Sequence, residues 1–284
     1  MKIKVITDST AEISPELAAK YDITVASLEV IMNGEPRKAV DVSNEEFYAH
    51  LNDCLKSKKP LPTTSQVTPY GFEQVLAPYA NKEDTFVAVI TIAKEMSSTH
   101  RSAQMAIENL GMKNVHLFDT YIVTYGLGHL VLEIAKLAQK PDITVEQFIE
   151  QAEDLNSRIW MYMSIGDLRC LRAGGRLSAS SMALGALMHV KPVAYIYKKV
   201  EVCAKVMGQG KANKLMVERV AAERDESLPI CFGNAQAEYI VEKYKSQYAK
   251  ELKLTGDEVN LSMGPVVATH SGPDCAGIAF FKKK

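Results

Sequence analysis

Residues 85–92 read TFVAVITI, an unbroken apolar run rich in β-branched side chains. A strand with one wet face alternates apolar and polar residues. A continuous run suits a strand covered on both faces, as in a parallel sheet sandwiched between helices. The surrounding sequence supplies those helices. Ser14-Pro15 offers a capping serine followed by proline at the first helical position. Ser43 with Glu46 forms a capping-box pattern for a helix to about Lys56. A polar, proline-rich loop over 60–69 leads into a helix over 70–79. Further helices are predicted over 99–110, stopped by Gly111, over 123–139, and after Thr144, which is paired with Gln147. Strands are predicted at 2–7, 23–32 (ending in the turn Asn33-Gly34-Glu35-Pro36) and 114–118.

The second half has a different rhythm. A strand at 159–165 precedes a short helical segment at 167–171 and the loop Ala173-Gly174-Gly175-Arg176. Residues 193–197 and 200–206 read as adjacent antiparallel strands. Helices near 212–224 and 236–250 enclose a strand at 228–232, and 259–267 and 277–280 complete a second sheet. At about 150 residues per domain, 284 residues allow two domains or one large α/β domain. The expectation is an α/β protein in two parts. Residues 1–160 form a mainly parallel sheet flanked by helices, and 161–284 form a second α/β domain with antiparallel strands.

Charge and motifs exclude several function classes. Thirty-three Lys and Arg stand against 34 Asp and Glu, a net charge of −1, which gives no basic field for nucleic acid. No apolar run reaches the ~18 residues of a membrane span, and MKIKVITDST has no signal core, so a cytoplasmic protein outside the membrane is expected. Five cysteines at irregular spacings predict neither disulfides nor a zinc site. The six histidines make no H-E-x-x-H or close pair, so no metal is expected. There is no P-loop and no G-x-S-x-G elbow. Gly126-Leu127-Gly128 opens like a dinucleotide fingerprint, but Val131 occupies the place of its third glycine. Its position inside a helical pattern points to close helix packing.

What remains is a set of hydroxyl-rich loops: Asp8-Ser9-Thr10 after the first strand, Thr63-Thr64-Ser65-Gln66, and Ser97-Ser98-Thr99 after the TFVAVITI run. Ligands of open α/β sheets bind beyond the carboxyl ends of the strands. Loops that open helices there present free N–H groups and a positive dipole end, which suits a carboxylate or a phosphate. Thr269-His270-Ser271-Gly272-Pro273 adds one histidine in a polar turn.

In their order along the chain, ITDST, TTSQVTP, MSSTHRSA, FDTYIVTYGLGHLV, LRCLRAGGRLSASSMALGALMHVKP and ATHSGP resemble the DegV family of bacterial fatty-acid-binding proteins. The resemblance implies two α/β domains holding one long-chain fatty acid, of the palmitate or oleate kind, in a tunnel between them. It implies a binding subunit and not an enzyme, with no cofactor. Its partner would be a fatty acid kinase, whose acyl-phosphate product goes to phospholipid synthesis. The family's carboxylate-binding positions fall on Thr64, Ser97 and His270, with Arg176 in the head-group neighbourhood and Ser9, Ser65, Ser98 and Thr99 in the same loops. The stretch 182–190 is a candidate tunnel lining. Ser98 replaces a usual glycine, and Met207 stands where many kinase-linked members carry arginine. The alternatives are a hydrolase or phosphate-ester enzyme using Ser97 with His270 as base, or a binding module for another apolar ligand.

Overall fold

The computed structural model describes residues 1–80, 82–166, 168–178 and 190–284. The TFVAVITI run forms β6 (Thr85–Ile90), every residue of it buried. It pairs in parallel with β1 (Lys2–Asp8) and β7 (Val115–Phe118), and β1 pairs in parallel with β2 (Ile23–Ala26). The order is β2-β1-β6-β7. Alternate residues of the central strands serve two cores. Ile6, Val87 and Val89 pack with Phe72 of α3 (Pro69–Leu76) and with Ala103 and Ala106 of α4 (Thr99–Asn109). Val5, Phe86, Ala88 and Ile90 face Leu127 and Leu130 of α5 (Thr124–Ala138) and Phe148 of α6 (Val145–Arg158). The expected parallel sheet covered on both faces is present.

All strands from β8 (Ile159–Ser164) onward belong to a second sheet. With β9 (Val190–Tyr197), β10 (Lys199–Met207), β11 (Cys231–Ala235), β12 (Val259–Ser262) and β13 (Cys275–Phe281), its order is β10-β9-β8-β13-β11-β12. Every neighbouring pair is antiparallel except β11 and β12. One face packs on α8 (Gly208–Glu223) and α9 (Glu238–Gln247) through Phe232, Phe280, Met216 and Tyr244. The other face meets α5. All of its residues but Lys136 and Ala138 are buried, as expected of a helix wedged between two sheets. The Gly126-Leu127-Gly128 pair lies within it. A Cβ on Gly128 would stand 2.2 Å from the Ala11 carbonyl oxygen, so these glycines serve close packing.

A third sheet, β4-β3-β5, is built from β3 (Glu29–Met32), β4 (Glu35–Lys38) and β5 (Thr63–Ser65). The sequence reading missed it. The stretch 23–32 is broken at Ser27-Leu28, so one half joins the parallel sheet and the other turns into a hairpin. Asn33 and Gly34 form the hairpin turn with φ of 53° and 83°, the left-handed values a tight two-residue hairpin demands. Between α1 (Pro15–Tyr21) and α3, Ser43 caps α2 (Asn44–Ser57), but the Glu46 carboxylate pairs with Arg37, so only half of the capping box forms. The strand predicted over 259–267 stops at Ser262. Gly264-Pro265 then starts α10 (Pro265–Ser271), because proline at the first helical position favours a helix over a ladder. The strand read at 228–232 begins at Cys231. The five cysteines form no disulfide among the described residues. No helix among the described residues is long and apolar enough to cross a membrane.

Candidate functional site

In the order β2-β1-β6-β7 the chain leaves β1 in one direction and β6 in the other, so a crevice opens beyond their carboxyl ends. Asp8 ties the two loops there. Its Oδ1 accepts from the Thr10 amide (2.9 Å) and hydroxyl (2.5 Å), and its Oδ2 accepts from the Ile92 amide at 2.8 Å. The carboxyl group is fully buried, and burial pushes its pKa up against these hydrogen bonds.

A cavity of about 480 Å³ occupies this crevice. The loop after β6 contributes Ser97 and Ser98 at the N-terminus of α4. Ser97 Oγ accepts from the Thr99 amide at 3.2 Å and shares a hydrogen bond with Thr99 Oγ1 at 2.9 Å. Ser98 is the exposed N-cap and makes no side-chain cap bond. Pairing of β5 with β3 sets Thr64 opposite Val30 and brings Thr64, Ser65 and Gln66 to the opposite wall. Gln66 anchors that wall to α4 by donating to Ser102 Oγ at 3.0 Å.

α10 delivers His270 to the same place in its last turn, where the reading from sequence had a tight loop. Its Nε2 shares a hydrogen bond of 2.9 Å with Thr64 Oγ1. Its Nδ1 is buried, has no hydrogen-bond partner among the described residues, and lies against Gly174 at the end of α7 (Leu168–Gly174). A Cβ at position 174 would stand 2.2 Å from that nitrogen, so only glycine leaves room for the ring. Burial lowers the imidazole pKa to about 4, with the positive charge of Arg176 adding to the effect, so the ring is neutral near pH 7. Arg176 donates from Nε to the Met96 carbonyl at 3.3 Å and from its guanidinium to the Gly174 carbonyl. Thr64, His270, Gly174, Arg176 and the loop before Ser97 thus form one connected polar rim. A second cavity of about 310 Å³ shares Thr64, Arg176 and His270 with the first. Apolar side chains, including Val123, Met163, Ile196, Val200 and Val266, line the rest of the main cavity.

Six of the eight residues singled out from sequence therefore line one cavity: Thr64, Ser65, Ser97, Ser98, Arg176 and His270. Thr99 is buried behind Ser97. Ser9 turns the other way, accepts from the Leu28 amide at 3.0 Å, and lines a neighbouring cavity. Thr10, Gln66, Thr68, Thr124 and Ser271 also line the site. Thr10 and Gln66 stand in loops already marked by their hydroxyls, whereas no local signal pointed to Thr124. Residues 182–189 of the proposed lining lie outside the described residues. The hydrolase arrangement needs a bond from Ser97 to His270, but Ser97 bonds to Thr99 and His270 to Thr64. No group orients the second ring nitrogen among the described residues.

The profile of a family described as "uncharacterised protein, DegV family" matches residues 2–283. The chain belongs to the DegV family. A DegV domain-containing protein of Caldanaerobacter subterraneus subsp. tengcongensis is 30% identical over 291 residues, covering 100% of this chain and 99% of the relative. Among solved structures, DegV of Bacillus subtilis, described as a fatty acid binding protein, aligns with a TM-score of 0.82 at 26% identity over 100% of both chains. A DegV family protein of Thermus thermophilus, whose fatty acid binding is described, shares the fold with a TM-score of 0.88 at 23% identity over 100% of both chains.

Proposed function

We propose that this chain binds one long-chain fatty acid, its carboxylate at Thr64, Ser97 and His270 and its tail in the apolar part of the cavity. The supporting observation is a slot that is polar along one connected rim and apolar beyond it. Its volume of about 480 Å³ lies within the roughly 300–1,000 Å³ common for small-molecule sites. A sixteen-carbon acid buries about 14 methylenes at ~0.8 kcal/mol each, on the order of 11 kcal/mol before binding entropy is subtracted. The tail therefore supplies affinity, and the hydroxyls, the N-terminus of α4 and Arg176 fix the head group. Residues 1–160 and 161–284 act as two domains closing on the lipid. The description of B. subtilis DegV as a fatty acid binding protein supports the same reading.

The second cavity at Thr64, Arg176 and His270 gives the carboxylate a side that a partner can reach. In this reading a cytoplasmic fatty acid kinase transfers the γ-phosphoryl group of ATP to a carboxylate oxygen, with ADP leaving. The chain retains the acyl phosphate for phospholipid synthesis and performs no catalysis itself. Native mass spectrometry of freshly purified protein, with extraction and lipid identification, tests binding. A stoichiometric long-chain acid is the expected adduct. A protein that is empty and refuses added palmitate and oleate ends the reading. Adding a fatty acid kinase and ATP tests the coupling: acyl phosphate is expected, and none forming on a lipid-loaded protein removes the kinase role alone.

A further inference from the structure

Glu12 lies just past β1, outside the residues assigned to the ligand. Its carboxyl group accepts from the Gly264 amide at 2.7 Å and from the Thr124 hydroxyl at 3.3 Å. Gly264 is the N-cap of α10, and Thr124 is the first residue of α5 and part of the cavity wall. One carboxyl group thus joins the helix that carries His270 to the helix wedged between the two sheets.

Two further features mark the joint. Glu12 and Thr124 both adopt left-handed backbone, with φ of 58° and 55°. Such backbone is rare for a β-branched residue and persists where the surroundings enforce it. A Cβ on Gly264 would stand 2.8 Å from Glu12 Oε2, so glycine lets the carboxyl group reach the amide. The preceding residue is tethered separately, because Tyr48 donates to the Met263 carbonyl at 2.9 Å.

We propose that Glu12 is a positioning residue for the ligand cavity, a clamp that sets where α10 holds His270 against Thr64; the link to lipid rests on the fatty-acid reading above. α10 is seven residues long, about 10 Å, so a shift at Gly264 reaches His270 as a rigid displacement. Burial drives the Glu12 pKa up to about 8. The titratable groups bearing on it are Asp8 from β1 and Tyr48 from α2, and no cation opposes them among the described residues. The clamp is therefore protonated and neutral below pH 8. Above it, a half-buried negative charge with no facing cation among the described residues destabilises the joint, although the Gly264 amide and the Thr124 hydroxyl still donate to it.

The test compares wild type, Glu12→Gln, Glu12→Ala and Gly264→Ala as full-length proteins. The His270 ring signals are followed by NMR without ligand, and palmitate affinity is measured by calorimetry at pH 6.5 and 9.5. Wild type is expected to lose about tenfold in affinity between the two pH values. Glu12→Gln should hold its affinity across that range, with His270 signals close to those of wild type. Glu12→Ala and Gly264→Ala should move the His270 signals and weaken binding at both pH values. Should Glu12→Ala fail to fold, Glu12→Gln and Gly264→Ala still decide. Unmoved His270 signals in the folded clamp variants overturn the proposal, as does a wild-type pH response that persists in Glu12→Gln. If wild type takes no palmitate, the fatty-acid reading falls and the NMR comparison alone judges the clamp.

Discussion

Thr64 Oγ1 lies 2.9 Å from His270 Nε2, although 206 positions separate the two residues in the chain. β5 brings one and α10 the other, so the bond records the docking of the end of the chain onto its beginning.

Removing the hydroxyl leaves a buried ring with neither nitrogen bonded among the described residues, since Nδ1 already lacks a partner there. Thr64→Ala is expected to lower fatty acid affinity by ~1–3 kcal/mol, the usual cost of an unpaired buried polar group, with Thr64→Ser restoring most of it. Ser97→Ala should cost a similar amount, because Ser97 also orders Thr99. Calorimetry that finds both alanine variants at wild-type affinity would remove these hydroxyls from the site.

Gly174 makes the opposite kind of test, by adding an atom. Its Cβ would lie 2.2 Å from His270 Nδ1, and the ring is hemmed in on its other side by Thr64. Gly174→Ala should therefore displace the imidazole at a cost of ~1–3 kcal/mol in stability, and weaken lipid binding. Gly175→Ala is the contrasting neighbour. Position 175 has open space around a Cβ, but its φ of 68° leaves only backbone strain to oppose the change. Equal palmitate affinities in the two variants would show that contact with His270 is unimportant.

Much of this arrangement is legible in the sequence. TFVAVITI announced the parallel sheet because a doubly covered strand needs an uninterrupted apolar run. The hydroxyl loops pointed to the cavity that they line, because such loops open helices at strand ends. The third sheet was not legible. Its strands are three or four residues long, and β5 lies in a proline-rich loop whose composition says turn. Nor was α10, where apolar residues 259–267 fit a strand until Gly264-Pro265 imposes a helix. Glu12 and Thr124 gave no local signal, since their roles arise from partners more than one hundred positions away.

Asp8 tests whether the site depends on the join between the loops after β1 and β6. In Asp8→Asn the amide oxygen can still accept from Thr10, but its NH₂ then faces the Ile92 N–H, donor against donor. A stability loss of ~1–3 kcal/mol in urea unfolding is expected, with weakened palmitate binding because Thr10 and Ile92 both line the cavity. Wild-type values for stability and binding would mean that the loops hold their places without the carboxylate.

Acid should loosen the molecule through two histidines. His129 donates from Nε2 to the Pro229 carbonyl at 2.9 Å and has no second hydrogen-bond partner among the described residues, and burial lowers its pKa to about 4, as it does for His270. The ordinary histidine value is 6.5, so between pH 6.5 and 4 the unfolded chain binds more protons than the folded one. Their contribution to stability is complete above pH 6.5 and is lost as pH falls through that window. Glu12 acts with the opposite sign. Its pKa rises from 4.5 to about 8, so its contribution is complete below pH 4.5 and is lost as pH rises to 8. Thermal midpoints measured from pH 4 to 9 separate the two. His270→Gln and His129→Gln should each flatten the acid limb relative to wild type, and Glu12→Gln should flatten the limb between pH 4.5 and 8. An acid limb unchanged in both histidine variants would mean that neither ring is held neutral by the fold.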